Sequence, residues 1–112
     1  MRSRLLLAAL LAAFVAPAAQ AQRCDTNLRI VNNSTSTVTR LFYNPSRITS
    51  WGPNRLTAAG LRPGQSSVFN LGSEENFDFR VVWHGNQAAE MRHTNICVIN
   101  RVVITDEGMR VR

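Results

Sequence analysis

The side chains with chemical potential in this 112-residue chain are few. They are His84, His93, the cysteines Cys24 and Cys97, seven carboxylates, and a set of arginines around Trp51. Nucleophilic catalysis needs a base beside a Ser, Thr or Cys. Neither histidine stands in a recognisable nucleophile motif. The acids are Asp25, Glu74, Glu75, Asp78, Glu90, Asp106 and Glu107, and none belongs to a paired-carboxylate motif. The pattern argues against an enzyme. It also names no cofactor.

Metal binding is the next chemistry to weigh. His84, Met91, His93 and Cys97 are ligand types suited to copper or zinc in an exported protein. The spacing Met91-x-His93 puts both on one face of an extended strand. That face is the expected core, where Met91 fills space and His93 hydrogen-bonds near the edge. His84 falls on the opposite face. No metal site is assigned, although a small metal-binding protein using His84, Met91 and His93 stands as an alternative.

Two kinds of binding residue remain. Arg80 and Arg92 are expected opposite each other on an outer strand face, where like charges repel and an anion would relieve them. Asp78 and Glu90 nearby offer a structural alternative, because they can neutralise both. Trp51 sits in a long loop with Arg47 and Arg55 on either side. An exposed indole there would stack on a sugar or anchor a protein partner. A buried one would cap the core.

The elements that position these residues follow from the rest of the chain. Arg2 and Arg4, the apolar run Leu5–Val15 and the small-x-small site Ala19-Gln20-Ala21 form an export signal over 1–21, too short to be a stable span. The mature chain, 22–112, is one domain with no transmembrane segment, acting in the periplasm or outside the cell. An oxidising compartment pairs Cys24 with Cys97, a staple suited to so small a core. All thirteen basic residues are arginine; eleven are mature, giving a net charge of +4 against seven acids. A modest excess of that kind is compatible with anionic surfaces or acidic partners. The compartment and the lack of a recognition motif argue against nucleic acid.

No mature segment has a helical period. Short alternating runs are broken by Asn, Gly, Pro and Ser. Strands are expected over Leu28–Val31, Val38–Tyr43, Ser66–Leu71, Phe77–His84, Ala88–Arg92 and Arg101–Thr105, with Asn95–Ile99 extended. Six or seven such strands predict an all-β fold, a small antiparallel β-sandwich with one disulfide. Phe77, Phe79, Val81 and Trp83 form the inner face of the strongest strand. A loop of Gly85-Asn86-Gln87 would pair His84 with Ala88 and place Ala89, Met91 and His93 inside. The stretch 44–65 holds no clear strand and is the first place to look for a binding surface.

The order of local features resembles a group of small exported bacterial proteins without an established activity. An early strand runs into Ile30-Val31-Asn32-Asn33-Ser34, and a second leads to a Ser/Pro turn over 41–46. Trp51-Gly52 with Leu56 follows, then Pro63-Gly64, the strand Phe77-Asp78-Phe79-Arg80-Val81 and a late Cys97. The resemblance spans 28–104 and implies a β-rich fold without supplying an activity. Similar chains often carry acids just after Trp-Gly. Here Pro53-Asn54 stands instead, so any cation site built on those acids is not carried over.

The expected function is therefore a non-enzymatic binding or accessory module. It would recognise a protein or an envelope polysaccharide through the 44–65 loop, with Trp51, Arg47, Arg55, Arg80 and Arg92 as contact residues. A small anion- or metal-binding protein is the alternative.

Overall fold

The computed structural model describes residues 24–112, so the expected signal peptide at 1–21 lies outside the described residues. Seven strands follow in order: β1 (Asn27–Asn32), β2 (Val38–Pro45), β3 (Ser66–Asn70), β4 (Asn76–Trp83), β5 (Ala88–Asn95), β6 (Arg101–Thr105) and β7 (Gly108–Val111). They form two packed sheets, one of order β3-β1-β6-β7 and one of order β2-β4-β5. This is the all-β sandwich expected. Neighbouring strands are antiparallel except β1 and β6, which run parallel, so the four-stranded sheet is mixed. No helix among the described residues is long and apolar enough to cross a membrane.

Alternation builds the core. Leu28 and Ile30 of β1, Leu41 and Tyr43 of β2, Phe77, Phe79, Val81 and Trp83 of β4, and Val102 and Ile104 of β6 point between the sheets and are buried. Each such side chain contributes roughly 1.5–3 kcal/mol of transfer free energy before entropy is counted. The rings of Tyr43, Phe69, Phe77 and Phe79 meet edge-on or tilted, with centroids 5.9–6.5 Å apart.

The chain passes between sheets through turns with their own polar anchors. Asn32, fully buried, donates from its amide to the carbonyls of Ser36 and Leu61, both at 2.9 Å, and accepts from the Ser34 amide and hydroxyl. All the side chain's principal hydrogen-bonding capacity is met, as burial demands. The Trp83 indole N–H donates to the same Ser34 hydroxyl at 3.0 Å. Asn95–Ile99, expected to be extended, instead contains a one-turn 3-10 segment over Ile96–Val98. The Asn95 side chain accepts from the Cys97 amide and bends the chain from β5 toward the other sheet. Cys97 bonds Cys24 there, 73 positions apart with Cα atoms 5.3 Å apart.

The β4–β5 hairpin differs from expectation by two positions. The connecting loop is His84-Gly85-Asn86, not Gly85-Asn86-Gln87, because the Trp83 amide donates to Gln87 and the Asn86 amide to Trp83. Gly85 and Asn86 both have positive φ, 96° and 69°, which confines them to the turn. Val82 pairs with Ala88, Val81 with Ala89 and Arg80 with Glu90. A shift of two keeps every side chain on its face. Ala89 and Met91 therefore still pack against the core, as expected. His93 does not: it lies at a bulge with φ 54° and is exposed.

Candidate functional site

The site grows from the middle strand of the three-stranded sheet. β4 lies between β2 and β5, so its outward side chains are flanked on both sides. Asp78 pairs with Asn44 of β2. On the β5 side the register slips between Phe77 and Phe79. A bulge of this kind sets two residues against one, here Arg92 and His93 against Asp78. The left-handed His93 backbone turns its amide toward the carboxylate, which accepts it at 2.9 Å through Oδ1. The same oxygen accepts the Ser46 hydroxyl at 2.7 Å, and Oδ2 accepts Arg92 Nη1 at 3.1 Å. Asp78 is 5% exposed. Burial pushes its carboxyl up, but the His93 amide, the Ser46 hydroxyl and the charges of Arg92 and His93 outweigh it. The net position is below the ordinary Asp value.

Arg92 carries the network outward. Its Nε and Nη2 donate to Glu90 Oε1 at 3.1 and 2.8 Å, and Arg80 Nη1 donates to Glu90 Oε2 at 2.6 Å. The hydrogen bond from Arg92 holds the Glu90 carboxyl below its usual range; burial opposes it and Arg80 adds to it. The sequence predicts that Arg80 and Arg92 stand directly opposite each other, and they do not. Glu90 stands across from Arg80 and bridges the two. The anion that their repulsion would have called for is supplied internally by Glu90 and Asp78.

The Arg92 guanidinium also lies 4.9 Å from the centre of the Trp51 ring, a cation–π stack. Trp51 is neither free in solvent nor part of the core cluster. It rests half-buried on the outside of the three-stranded sheet. The loop that brings it there is tied at several points. Asn44 Nδ2 donates to the Ser50 carbonyl at 2.7 Å, and Gly52, at φ 73°, passes within 3.0 Å of the same nitrogen measured from where a Cβ would stand. Asn54 Oδ1 accepts the Leu41 and Leu56 amides, both at 3.0 Å, and the Arg55 amide donates to the Leu41 carbonyl. Residues 54–56 thereby cover the free edge of β2.

The other arginines of the expected site lie apart from this cluster. Arg47 is paired with Glu75 at 2.7 Å; hydrogen bonds from Arg47 and Ser73 hold that carboxyl low against burial. Arg55 lies 4.3 Å over the Tyr43 ring and donates to the Tyr43 carbonyl at 3.2 Å. Burial raises the Tyr43 phenol, with Arg55 opposing. Of the five expected residues, Trp51 and Arg92 touch, Arg80 joins through Glu90, and Arg47 and Arg55 have separate partners. Asn44 is an organiser that the sequence did not single out; Asp78, expected there only to neutralise Arg80 and Arg92, also holds the His93 amide and the Ser46 hydroxyl.

Between Trp51, Arg92, Asp78, Asn44 and residues 48–50 is a hollow of about 10 Å³, the room of one water molecule. A larger open hollow of about 210 Å³ lies at the other end of the sheet, lined by Thr35, Ser36, Trp83, Gln87 and Asp106. Asp106 Oδ1 accepts the Thr35 amide and hydroxyl at 2.7 and 2.9 Å, joining the turn after β6 to the turn after β1.

The histidines do not converge. His84 is in the hairpin loop and His93 is near the far end of β5. Among the described residues, the one cluster of three potential His, Cys or carboxylate donors is Cys24, Glu74 and Cys97, and both sulfurs are in the disulfide. Compared with protein-family models, with curated proteins and with solved structures, the chain matches none.

Proposed function

We propose that this protein is an exported, non-catalytic binding module that recognises a protein partner through the 44–65 loop, with Trp51 at its centre. The carrying observation is the Arg92–Trp51 stack, 4.9 Å from guanidinium to ring centre, on a loop already fixed by Asn44 and Asn54. A pre-ordered aromatic loses little conformational freedom on binding. Tryptophan and arginine are also the side chains most concentrated at the energetic centres of protein interfaces. A one-water hollow beside the ring favours a surface contact over a pocketed sugar. Action in the periplasm or outside the cell accords with the basic and apolar N-terminal pattern and with the Cys24–Cys97 bond.

Photo-crosslinking from Ile48 or Pro53 in the exporting cell, read by mass spectrometry, tests the proposal. A single protein adduct that Trp51→Ala abolishes is expected. An adduct indifferent to Trp51→Ala, or none, refutes it. A saturable Trp51 fluorescence change on adding envelope polysaccharide would move recognition from protein to polymer.

A further inference from the structure

The outer face of the four-stranded sheet has a charge pattern opposite in kind to that of the Trp51 face. Arg29 of β1 is the register partner of Arg101 of β6. The amides of Arg101 and Arg112 each donate to the other's carbonyl, at 3.1 and 3.0 Å, which sets Arg112 across from Arg101 on the β7 side. Ile30 and Val102, next to Arg29 and Arg101, are fully buried, so the arginines face outward. Arg29, Arg101 and Arg112 therefore form one row across three adjacent strands. At about 4.8 Å per strand the row is about 10 Å long. Arg110 lies two residues along β7, paired with Val103, on the same face.

None of the four strands carries an acidic side chain; they read NLRIVN, SSVFN, RVVIT and GMRV. Among the described residues, Arg47, Arg80 and Arg92 form side-chain ion pairs. Arg29, Arg101, Arg110 and Arg112 do not; Arg29 donates to the Ser66 hydroxyl at 3.0 Å. Asp25, the nearest acid before β1, accepts from the Asn27 amide and side chain. The Arg112 carbonyl end is taken up by the amides of Asn100 and Arg101. Like charges directly opposed across strands are destabilising. On the other sheet Glu90 and Asp78 relieve that repulsion; here no side chain does.

We propose that the outer face of the β3-β1-β6-β7 sheet binds a linear polyanion, an acidic polysaccharide, through the row Arg29–Arg101–Arg112 with Arg110 beside it. Guanidinium forks suit sulfate, phosphate and carboxylate oxygens alike. A single row fits a chain of spaced anionic groups. The face also lacks aromatic side chains, since Phe69 of β3 packs inward, so it has no tryptophan or tyrosine of the kind that seats proteins at a lipid headgroup layer. This face is separate from the Trp51 loop and the two proposals stand or fall independently.

The test uses the disulfide-bonded protein recovered from the exporting cell. It is eluted from immobilised heparin, a sulfated polysaccharide, with rising salt, and tested on phosphatidylglycerol vesicles in parallel. Arg29→Gln with Arg101→Gln should lower heparin affinity by about tenfold or more and reduce the salt slope by about two. Arg29→Lys with Arg101→Lys should retain most of the binding. Arg40→Glu makes the same change in net charge on the other sheet and should leave affinity within about threefold. Near-UV circular dichroism shows that each variant is folded. Unchanged binding by the Gln pair, an equal loss in Arg40→Glu, or tighter retention by vesicles than by heparin overturns the proposal.

Discussion

Replacing Asp78 with Ala should remove the centre from which the Trp51 face is organised, and its cost can be worked from the contacts. Asp78 Oδ1 accepts two nearly buried bonds, from the His93 amide at 2.9 Å and the Ser46 hydroxyl at 2.7 Å. Hydrogen bonds to a charged group contribute about 1.5–3 kcal/mol each, so the pair sets an upper range of about 3–6 kcal/mol. The Arg92 contact adds little to stability, because the guanidinium is half-exposed and keeps Glu90. Water entering the vacated space recovers part of the loss. The expected destabilisation is about 3 kcal/mol near neutral pH, measured by urea unfolding. The pH dependence has a definite sign. The folded-state carboxyl of Asp78 lies below its ordinary value of 3.8. Its contribution is therefore complete above about pH 4 and is lost as the pH falls through the lower folded-state value. The gap between wild type and Asp78→Ala should narrow below about pH 4. In parallel, Arg92 loses one of its two carboxylate anchors, and Trp51 emission should shift in a Trp83→Phe background. A gap under about 0.5 kcal/mol near neutral pH, or one of equal size at about pH 7 and pH 2.5, would refute the assignment of Asp78 as the ionised hub.

Two further perturbations test the scaffold. Reduction of Cys24–Cys97, or the double Ser variant, reopens a loop of 73 positions and should cost about 4 kcal/mol on the chain-entropy account, read as a lower urea midpoint that reoxidation restores in the reduced protein and not in the Ser variant. Gly60→Ala should be far costlier than Gly64→Ala, although both glycines have positive φ, 69° and 87°. A Cβ at Gly60 would stand 2.5 Å from the Val38 carbonyl oxygen that accepts the Leu61 amide, whereas nothing lies within 4 Å at Gly64. Thermal unfolding should report about 3 kcal/mol at the first and about 1 kcal/mol at the second.

The legible and illegible parts of this fold divide along a physical line. Face assignment depends on parity, and Phe77, Phe79, Val81 and Trp83 declare it by alternation; all four are buried. The disulfide follows from having two cysteines and an export signature. Register along β4 and β5 does not follow from parity, because shifts of two leave the same side chains inside. One local fact bears on it: Glu90 opposite Arg80 is electrostatically better than Arg92 opposite Arg80. The loops 84–86 and 85–87 both keep Gly85 and Asn86 in the turn, so turn chemistry does not separate them. The bulge at His93 was out of reach, since a histidine with φ 54° has no local sequence signal. It is held by an acceptor fifteen positions earlier, the Asp78 carboxylate.

The same distinction bears on charge. In the sequence the arginines look evenly spread, and no basic run marks a surface. Strand pairing sorts them. β4 and β5 bring Arg80 and Arg92 to Glu90 and Asp78, while β1, β6 and β7 bring Arg29, Arg101, Arg110 and Arg112 together without an acid. Arg29 and Arg101 become neighbours only because β1 and β6 run parallel, a contact that a hairpin-by-hairpin reading of an antiparallel sandwich does not generate. One sheet therefore neutralises its own guanidiniums and uses Arg92 to hold Trp51, and the other sets its guanidiniums side by side without an acidic side chain in its strands. With only eleven arginines and seven acids over 22–112, that division is a property of topology rather than of composition.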